Sequence, residues 1–289
     1  MISQISRFSP AKLNLYLEIK NRRTDGFHNI ESLMTFCDYG DLISVKKSKN
    51  FKLKIDGPFS NSLNQRENLI EKTVKGLENI YKRKFLVSID LTKNLPISSG
   101  MGGGSSNSAT VIKCLKEIFE LKEPKDFNEF LLSLGADVPF CYYGKTAIVS
   151  GIGEKIEFIG NVKNFYILLI NPKTEVSTKE IFDSLKIDSK SKIKNNEKSI
   201  KPNNLSFILK KKNDLESHTI TINKKINEIL SFLKSCKGCL MSRMTGSGAT
   251  CFAFFNGYDD QEKAKIRAKN KFKNYWIQSS RLINSVQHI

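Results

Sequence analysis

The stretch from Leu95 to Ser106 reads L-P-I-S-S-G-M-G-G-G-S-S and holds the densest chemistry in the chain. Gly100, Gly102, Gly103 and Gly104 let the backbone take positive φ and approach a ligand closely. Ser105 and Ser106 follow, and the pattern then turns helical. Ala109, Val111, Ile112, Leu115, Ile118 and Phe119 recur with the spacing of one buried helix face. A glycine loop that opens a helix aims unpaired N–H groups and the positive end of the helix dipole at one spot, which suits phosphate. No Gly-Lys-Ser/Thr follows, so the loop is not a Walker motif. Ser105 stands where a dinucleotide fingerprint needs its last glycine. A flexible surface turn is the plain alternative, and the amphipathic helix directly behind the loop weighs against it.

Other reactive groups lie far away in sequence. From Lys12 to Lys20 the order K-L-N-L-Y-L-E-I-K alternates as a strand does, with Leu13, Leu15, Leu17 and Ile19 on one face. Lys12 and Asn14 therefore share the other face. Asp137 sits in the apolar run L-G-A-D-V-P-F, where burial would raise its pKa and a neighbouring cation would lower it. Beside a lysine and a phosphate loop, such an Asp fits the base for a hydroxyl attacking a γ-phosphoryl group. An Asp in a tight turn is structural more often than catalytic. His28, next to Phe27 in the turn R-R-T-D-G-F-H, could read a polar ligand edge or cap local backbone. Both readings stay open on spacing alone.

The chain has 289 residues, enough for two domains with real cores. Its 47 basic and 29 acidic residues give a formal charge of +18, compatible with nucleic acid or an anionic small substrate. Residues 186–212 hold nine lysines against two acids and only Phe207 as an aromatic. That composition reads as a solvated, poorly ordered insertion, without the aromatic interleaving that stacks bases. No nucleic-acid partner is therefore expected. No apolar run approaches the roughly 20 residues of a membrane span, and Met1–Pro10 is too polar for a signal peptide, so the expectation is a cytoplasmic enzyme with no membrane partner. Cys236 and Cys239 form a C-x-x-C with no second pair or two histidines nearby, which reads as reduced structural thiols.

The elements that must position these groups alternate along the chain. Strand-like runs occur at Leu42–Val45, Phe51–Ile55 and Phe85–Leu91, and helical spacing at Asn68–Tyr81. Beyond the glycine-loop helix come a short helix at Asp126–Leu134 and a strand at Ala147–Val149. A boundary is placed near residue 156, where the pattern restarts. The second half reads as strand Phe165–Ile170, helix Thr178–Leu185, helix Ile222–Leu233, the glycine turn M-T-G-S-G-A-T, strand Cys251–Phe255, helix Asp259–Lys271 and strand Tyr275–Gln278. Frequent hairpin-like turns favour α+β over a doubly wound sheet.

Taken together, P-A-K-L-N-L at Pro10–Leu15, L-P-x-x-x-G-M-G-G-G-S-S at Leu95–Ser106, L-G-A-D-V-P-F at Leu134–Phe140 and M-T-G-S-G-A-T at Met244–Thr250 resemble, in order, the motifs of the GHMP kinases. The turn R-R-T-D-G-F-H followed by D-Y-G-D at Asp38–Asp41 resembles the branch acting on a cytidylated methylerythritol. The resemblance implies a two-domain fold, with a domain like ribosomal protein S5 domain 2 over residues 1–156 and a ferredoxin-like domain over 157–289, the latter carrying the Lys/Asn-rich insertion. It implies ATP and Mg²⁺, with phosphorylation of the 2-hydroxyl of the cytidylated alcohol. Lys12 and Asp137 take the place of the catalytic pair. The ATP-phosphate loop corresponds to Pro96, Ile97, Ser98, Ser99 and Met101 with the glycines and serines already named. Asn14 would hold the methylerythritol hydroxyls, His28 would read the cytosine edge, and Phe27 and Phe182 would stack on its ring. Phe27 replaces a common tyrosine, and Met101 a common leucine. No metal ligand is singled out, Glu154 and Ser105 being the nearest candidates, and oligomeric state is not legible. The rival readings are a GHMP kinase for mevalonate, its phosphate or homoserine, and an RNA-binding S5-like protein.

Overall fold

A computed structural model of the protein describes residues 2–61, 63, 68–185 and 203–286. Two long strands, β1 (Gln4–Arg22) and β2 (His28–Lys47), pair antiparallel along their whole length through the Asp25-Gly26 turn. The alternation around Lys12–Lys20 therefore marks only the middle of β1. β2 runs well ahead of Leu42–Val45 because Leu33 to Cys37 is continuously buried between the sheet's two faces. β3 (Lys52–Asp56), β4 (Val87–Thr92), β5 (Ala147–Gly151) and β6 (Lys155–Phe158) extend this sheet. β6 straddles residue 156 and pairs with β5.

Helices α1 (Leu69–Tyr81), α2 (Gly103–Phe119), α3 (Phe127–Leu134) and α4 (Val138–Tyr143) cover one face. Their apolar sides meet Phe36, Ile43, Val45, Ile89 and Leu91 in one core. α2 is buried along most of its length, so its apolar spacing is a core signal as well as a helix signal.

The second half is β7 (Tyr166–Asn171), α5 (Thr178–Asp183), α6 (Leu205–Lys210), α7 (Glu216–Ile222), α8 (Lys225–Lys234), β8 (Cys239–Met244), β9 (Cys251–Phe255), α9 (Tyr258–Lys271) and β10 (Trp276–Ile283). Its strands lie side by side as β10-β7-β9-β8, all antiparallel. This is the split βαβ arrangement of a ferredoxin-like domain. β10 also pairs with β2, which joins the two halves edge to edge.

Two expectations change. Ile222–Leu233 is not one helix, because Asn223 breaks it with φ −133° and ψ 92°. Its side chain donates to Thr174 Oγ1 at 2.6 Å, so the break is held from outside. The lysine-rich stretch is folded from residue 203 onward. α6 buries Phe207 and Ile208 among β-sheet side chains, and the Lys212 carbonyl accepts from the Leu17 N–H at 3.0 Å. The two apolar residues bind the segment to the core, while Lys210 and Lys212 stay exposed and Lys211 pairs with Glu18 at 3.1 Å. Residues 186–202 lie outside the described residues.

Candidate active site

The glycine loop is built by close backbone approach. Gly100 has φ +74°, and a Cβ there would lie 2.2 Å from the Thr245 carbonyl. Gly102 caps α2 with φ +63°, and a Cβ there would collide with the Lys12 stem at 2.7 Å. No side chain caps α2, so its first N–H groups and dipole face the cleft. Steric space at these glycines is therefore already taken by the groups that form the site.

A bulge in β1 between Pro10 and Lys12 turns the Lys12 N–H off the ladder and onto the Met101 carbonyl at 3.0 Å. The Lys12 side chain is buried, with Nζ 2.7 Å from Asn14 Oδ1 and 3.0 Å from Asp137 Oδ2. The shared face read from sequence thus becomes a hydrogen bond. Asp137 precedes α4 without capping it, which leaves its carboxylate to Lys12 and the cleft. Asn14 Nδ2 donates to Ser32 Oγ at 2.8 Å, and its N–H donates to Thr245 Oγ1 at 3.0 Å. Two strands and the second glycine turn fix one lysine, one carboxylate and one amide within bonding distance.

These groups line a single cleft of about 1200 Å³. Pro96, Ile97, Ser98, Ser99, Gly100, Gly102, Gly103, Gly104 and Ser105 form one wall of it. The Met101 side chain points into the core, and the Ser106 hydroxyl takes a bond from Ser9 at 3.0 Å, so both face the loop only through backbone. Phe27, His28 and Phe182 gather at the other end. His28 and Phe182 lie 5.4 Å apart at an interplanar angle of 37°, while Phe27 is 60% exposed. His28 is buried with Nε2 unpartnered, an orphan polar atom suited to a ligand. Burial pulls its pKa below the ordinary value, helped by Arg22 and opposed by Asp183. Glu154 accepts from the Ile152 N–H at 2.6 Å in its own turn and is not part of the cleft wall, whereas Ser105 is.

Sequence reasoning missed the pair beneath the loop. Asp41, fully buried, takes bonds from Lys93, from the N–H groups of Asn94 and Leu95 at 2.8 and 2.9 Å, and from Asn107 Nδ2 at 3.0 Å. A Cβ on Gly103 would come within 2.9 Å of Lys93 Nζ, which places the ammonium against the first turn of α2. The signal was present in the alternation of β4, where Val87, Ile89, Leu91 and Lys93 share the inward face. A lysine on that face requires an acid.

Cys236 and Cys239 are reduced, and burial pushes the Cys239 thiol up to about 11, against a redox role. Among the described residues no group of three His, Cys, Asp or Glu could hold a metal, and no helix is long and apolar enough to cross a membrane.

A glycine loop at a helix start, a Lys–Asp pair above it and a second glycine turn closing the cleft define a kinase of the GHMP class. The family models for the GHMP kinases N terminal domain and the GHMP kinases C terminal domain match residues 68–145 and 197–277. The chain belongs to the GHMP kinases, among relatives named 4-diphosphocytidyl-2-C-methyl-D-erythritol kinase. One such relative, from Chelativorans sp. (strain BNC1), is 35% identical across 94% of each chain. Another, from Clostridium botulinum (strain Loch Maree / Type A3), is 38% identical across 92% of this chain and 96% of its own. The crystal structure of a 4-(cytidine 5'-diphospho)-2C-methyl-D-erythritol kinase shares the fold with a TM-score of 0.78 at 24% identity, covering 96% of this chain and 99% of that one.

Proposed function

We propose that this chain transfers the γ-phosphoryl group of ATP, with Mg²⁺, to the 2-hydroxyl of 4-diphosphocytidyl-2-C-methyl-D-erythritol. The observation that carries the reading is the Lys12 Nζ to Asp137 Oδ2 contact of 3.0 Å, set in the cleft with the uncapped start of α2. Relatives of that name, similar across more than nine-tenths of the chain, support the choice of alcohol.

Asp137 takes the proton of the attacking hydroxyl, and Lys12 stabilises the charge that develops on the transferring group. Asn14 orients the hydroxyl while steadying Lys12 through their 2.7 Å bond. The N–H groups at the start of α2 and the loop from Pro96 to Ser106 hold the phosphates. Gly102 and Gly103 fit that task, since the space a side chain would need is closed by Lys12 and Lys93. ATP would supply the phosphoryl group and Mg²⁺ would screen its charge, with Ser105 of the cleft wall a candidate to help hold the metal. His28 reads the cytosine edge with its unpartnered Nε2, flanked by Phe27 and Phe182.

The test is a phosphorus NMR time course with ATP, Mg²⁺ and the cytidylated alcohol. A new phosphomonoester signal is expected, with kcat about 10²–10⁴-fold lower in Asp137→Asn. Equal turnover of mevalonate or homoserine would refute the choice of alcohol. Turnover by Asp137→Asn within tenfold of the native rate would refute its role as base.

A further inference from the structure

The second glycine turn, residues 245–250, touches the site on one side. Thr245 Oγ1 accepts from the Asn14 N–H at 3.0 Å and donates to the Gly100 carbonyl at 3.3 Å. The Thr250 N–H donates to the Ser99 carbonyl at 3.2 Å. The turn thereby joins β1, which carries Lys12 and Asn14, to the phosphate loop. Gly246 and Gly248 take φ of +56° and +89° and bring no side chains of their own to fix it.

On its other side the turn is held by the segment from Asn213 to Thr219. Asn213 Nδ2 donates to the carbonyls of Met244 at 2.9 Å and Gly246 at 2.8 Å, and its Oδ1 accepts from the Leu215 N–H at 3.0 Å. The Glu216 carboxylate accepts from the Met244 N–H at 2.8 Å, and Thr219 Oγ1, which donates to the Leu215 carbonyl at 2.9 Å, lies 3.3 Å from the Ser247 carbonyl. Asn213 is buried, so its own three bonds are made away from water. The segment is itself tied to β1. Leu17 exchanges backbone bonds with Lys212 at 3.0 Å and Asp214 at 2.8 Å, and Asp214 Oδ2 accepts from the Ile19 N–H at 2.8 Å. The strand that bears the chemistry thus also carries the clamp.

We propose that Asn213 is a positioning residue for phosphoryl transfer: its amide fixes the Met244 and Gly246 carbonyls so that Thr245 Oγ1 holds Asn14 and Gly100 in register. The proposal deepens the kinase reading and rests on it for its kinetic arm alone. Displacement of Thr245 passes to Asn14 and from there to Lys12, whose ammonium reaches both the Asn14 oxygen and the Asp137 carboxylate. Asn213 touches neither loop nor catalytic pair and acts through Thr245.

The test uses the full chain with Asn213→Ala, Asn213→Asp, Thr245→Val and the double variant Asn213→Ala/Thr245→Val. Hydrogen–deuterium exchange without substrate comes first. Asn213→Ala is expected to speed exchange about tenfold in peptides spanning 98–101 as well as in 245–250. Faster exchange confined to 245–250 would overturn the proposal. Should Asn213→Ala fail to fold, the near-isosteric Asn213→Asp, which keeps an acceptor for the Leu215 N–H and loses the amide donors to Met244 and Gly246, carries the same measurement, and unchanged exchange at 98–101 there would overturn it. In the kinetic arm, Asn213→Ala lowers kcat about tenfold, but less than about twofold in the Thr245→Val background. Losses that simply multiply would show that Asn213 does not act through Thr245. A native protein that turns over no cytidylated alcohol sinks the kinase reading and leaves the exchange result to judge the clamp.

Discussion

Replacing Asp41 by Asn should be among the most damaging single changes outside the proposed catalytic pair. The carboxylate is fully buried, and its partner Lys93 is almost as deeply enclosed. Removing the negative charge leaves an ammonium in the interior with no counter-ion, a change that costs about 3–5 kcal/mol. At roughly 2–4 °C per kcal/mol for a chain of this size, the melting temperature should fall by about 6–20 °C. Burial already pulls the Lys93 pKa below its ordinary value, and Asp41 opposes that pull. In the variant the pull is unopposed. The unfolded chain then binds more protons at Lys93 than the folded one, so stability rises with pH and the deficit shrinks towards the ordinary lysine range. The double variant Asp41→Asn/Lys93→Met removes both charges and still offers an acceptor to the Asn94 and Leu95 N–H groups. It should recover to within about 1–2 kcal/mol of the native protein. Thermal unfolding without ligand, followed by circular dichroism at neutral and alkaline pH, decides it. A single variant melting within about 2 °C of the native protein, or a double variant worse than the single, would refute the coupling.

Two further outcomes follow from the loop and the aromatic end. Gly100→Ala must place a Cβ 2.2 Å from the Thr245 carbonyl at φ +74°, whereas the nearest atom to a Cβ on Gly104 is Leu69 Cδ2 at 3.8 Å. Steady-state kinetics and melting should show Gly100→Ala losing at least about tenfold in kcat/KM and Gly104→Ala keeping its stability or gaining up to about 1 kcal/mol; equal losses in both would count against the geometry. Because burial depresses the His28 pKa, the unfolded chain takes up a proton there first. Its contribution to stability is present above the ordinary value of about 6.5 and is lost as the pH falls through the lower folded value. KM for the cytidylated alcohol should rise over that interval as Nε2 ceases to be an acceptor, and His28→Gln should flatten the profile. An unchanged profile in His28→Gln would assign the titration elsewhere.

The parts of the fold that showed in the sequence were those governed by short periods. The Asp25-Gly26 turn, the apolar face of α2 and the glycine loop each announce themselves within a few residues. The pairing of Lys12 with Asn14 follows from strand alternation, and the structure makes it a 2.7 Å bond. What stayed hidden depends on partners distant in the chain. Lys93 lies 52 positions from Asp41, and Asn213 lies 33 from Gly246. Composition misled at residues 203–212, where a run of three lysines closes the segment but Phe207 and Ile208 decide the packing. The broken helix at Asn223 fails for the same reason, since the hydrogen bond to Thr174 that holds the break spans 49 positions.

The charge of the protein does not explain how the cleft would hold two polyanions. Among the described residues the two buried lysines, Lys12 and Lys93, are each matched by an acid, Asp137 and Asp41. Neither is a free cation for attracting phosphate, and each acid is placed where it fixes a lysine that backs a glycine. Lys12 fills the space beside Gly102 and Lys93 the space beside Gly103. The attraction left at the loop comes mainly from oriented N–H groups, which need no reorganisation when charge develops on the transferring group. The paired lysines supply rigidity there, and in the proposed transfer Asp137 would take the hydroxyl proton while Lys12 stabilises the developing charge. A surplus of +18 spread over the surface would speed the encounter with an anion in a salt-dependent way. Selectivity and rate must then come from the few buried groups whose positions the second glycine turn and Asp41 hold.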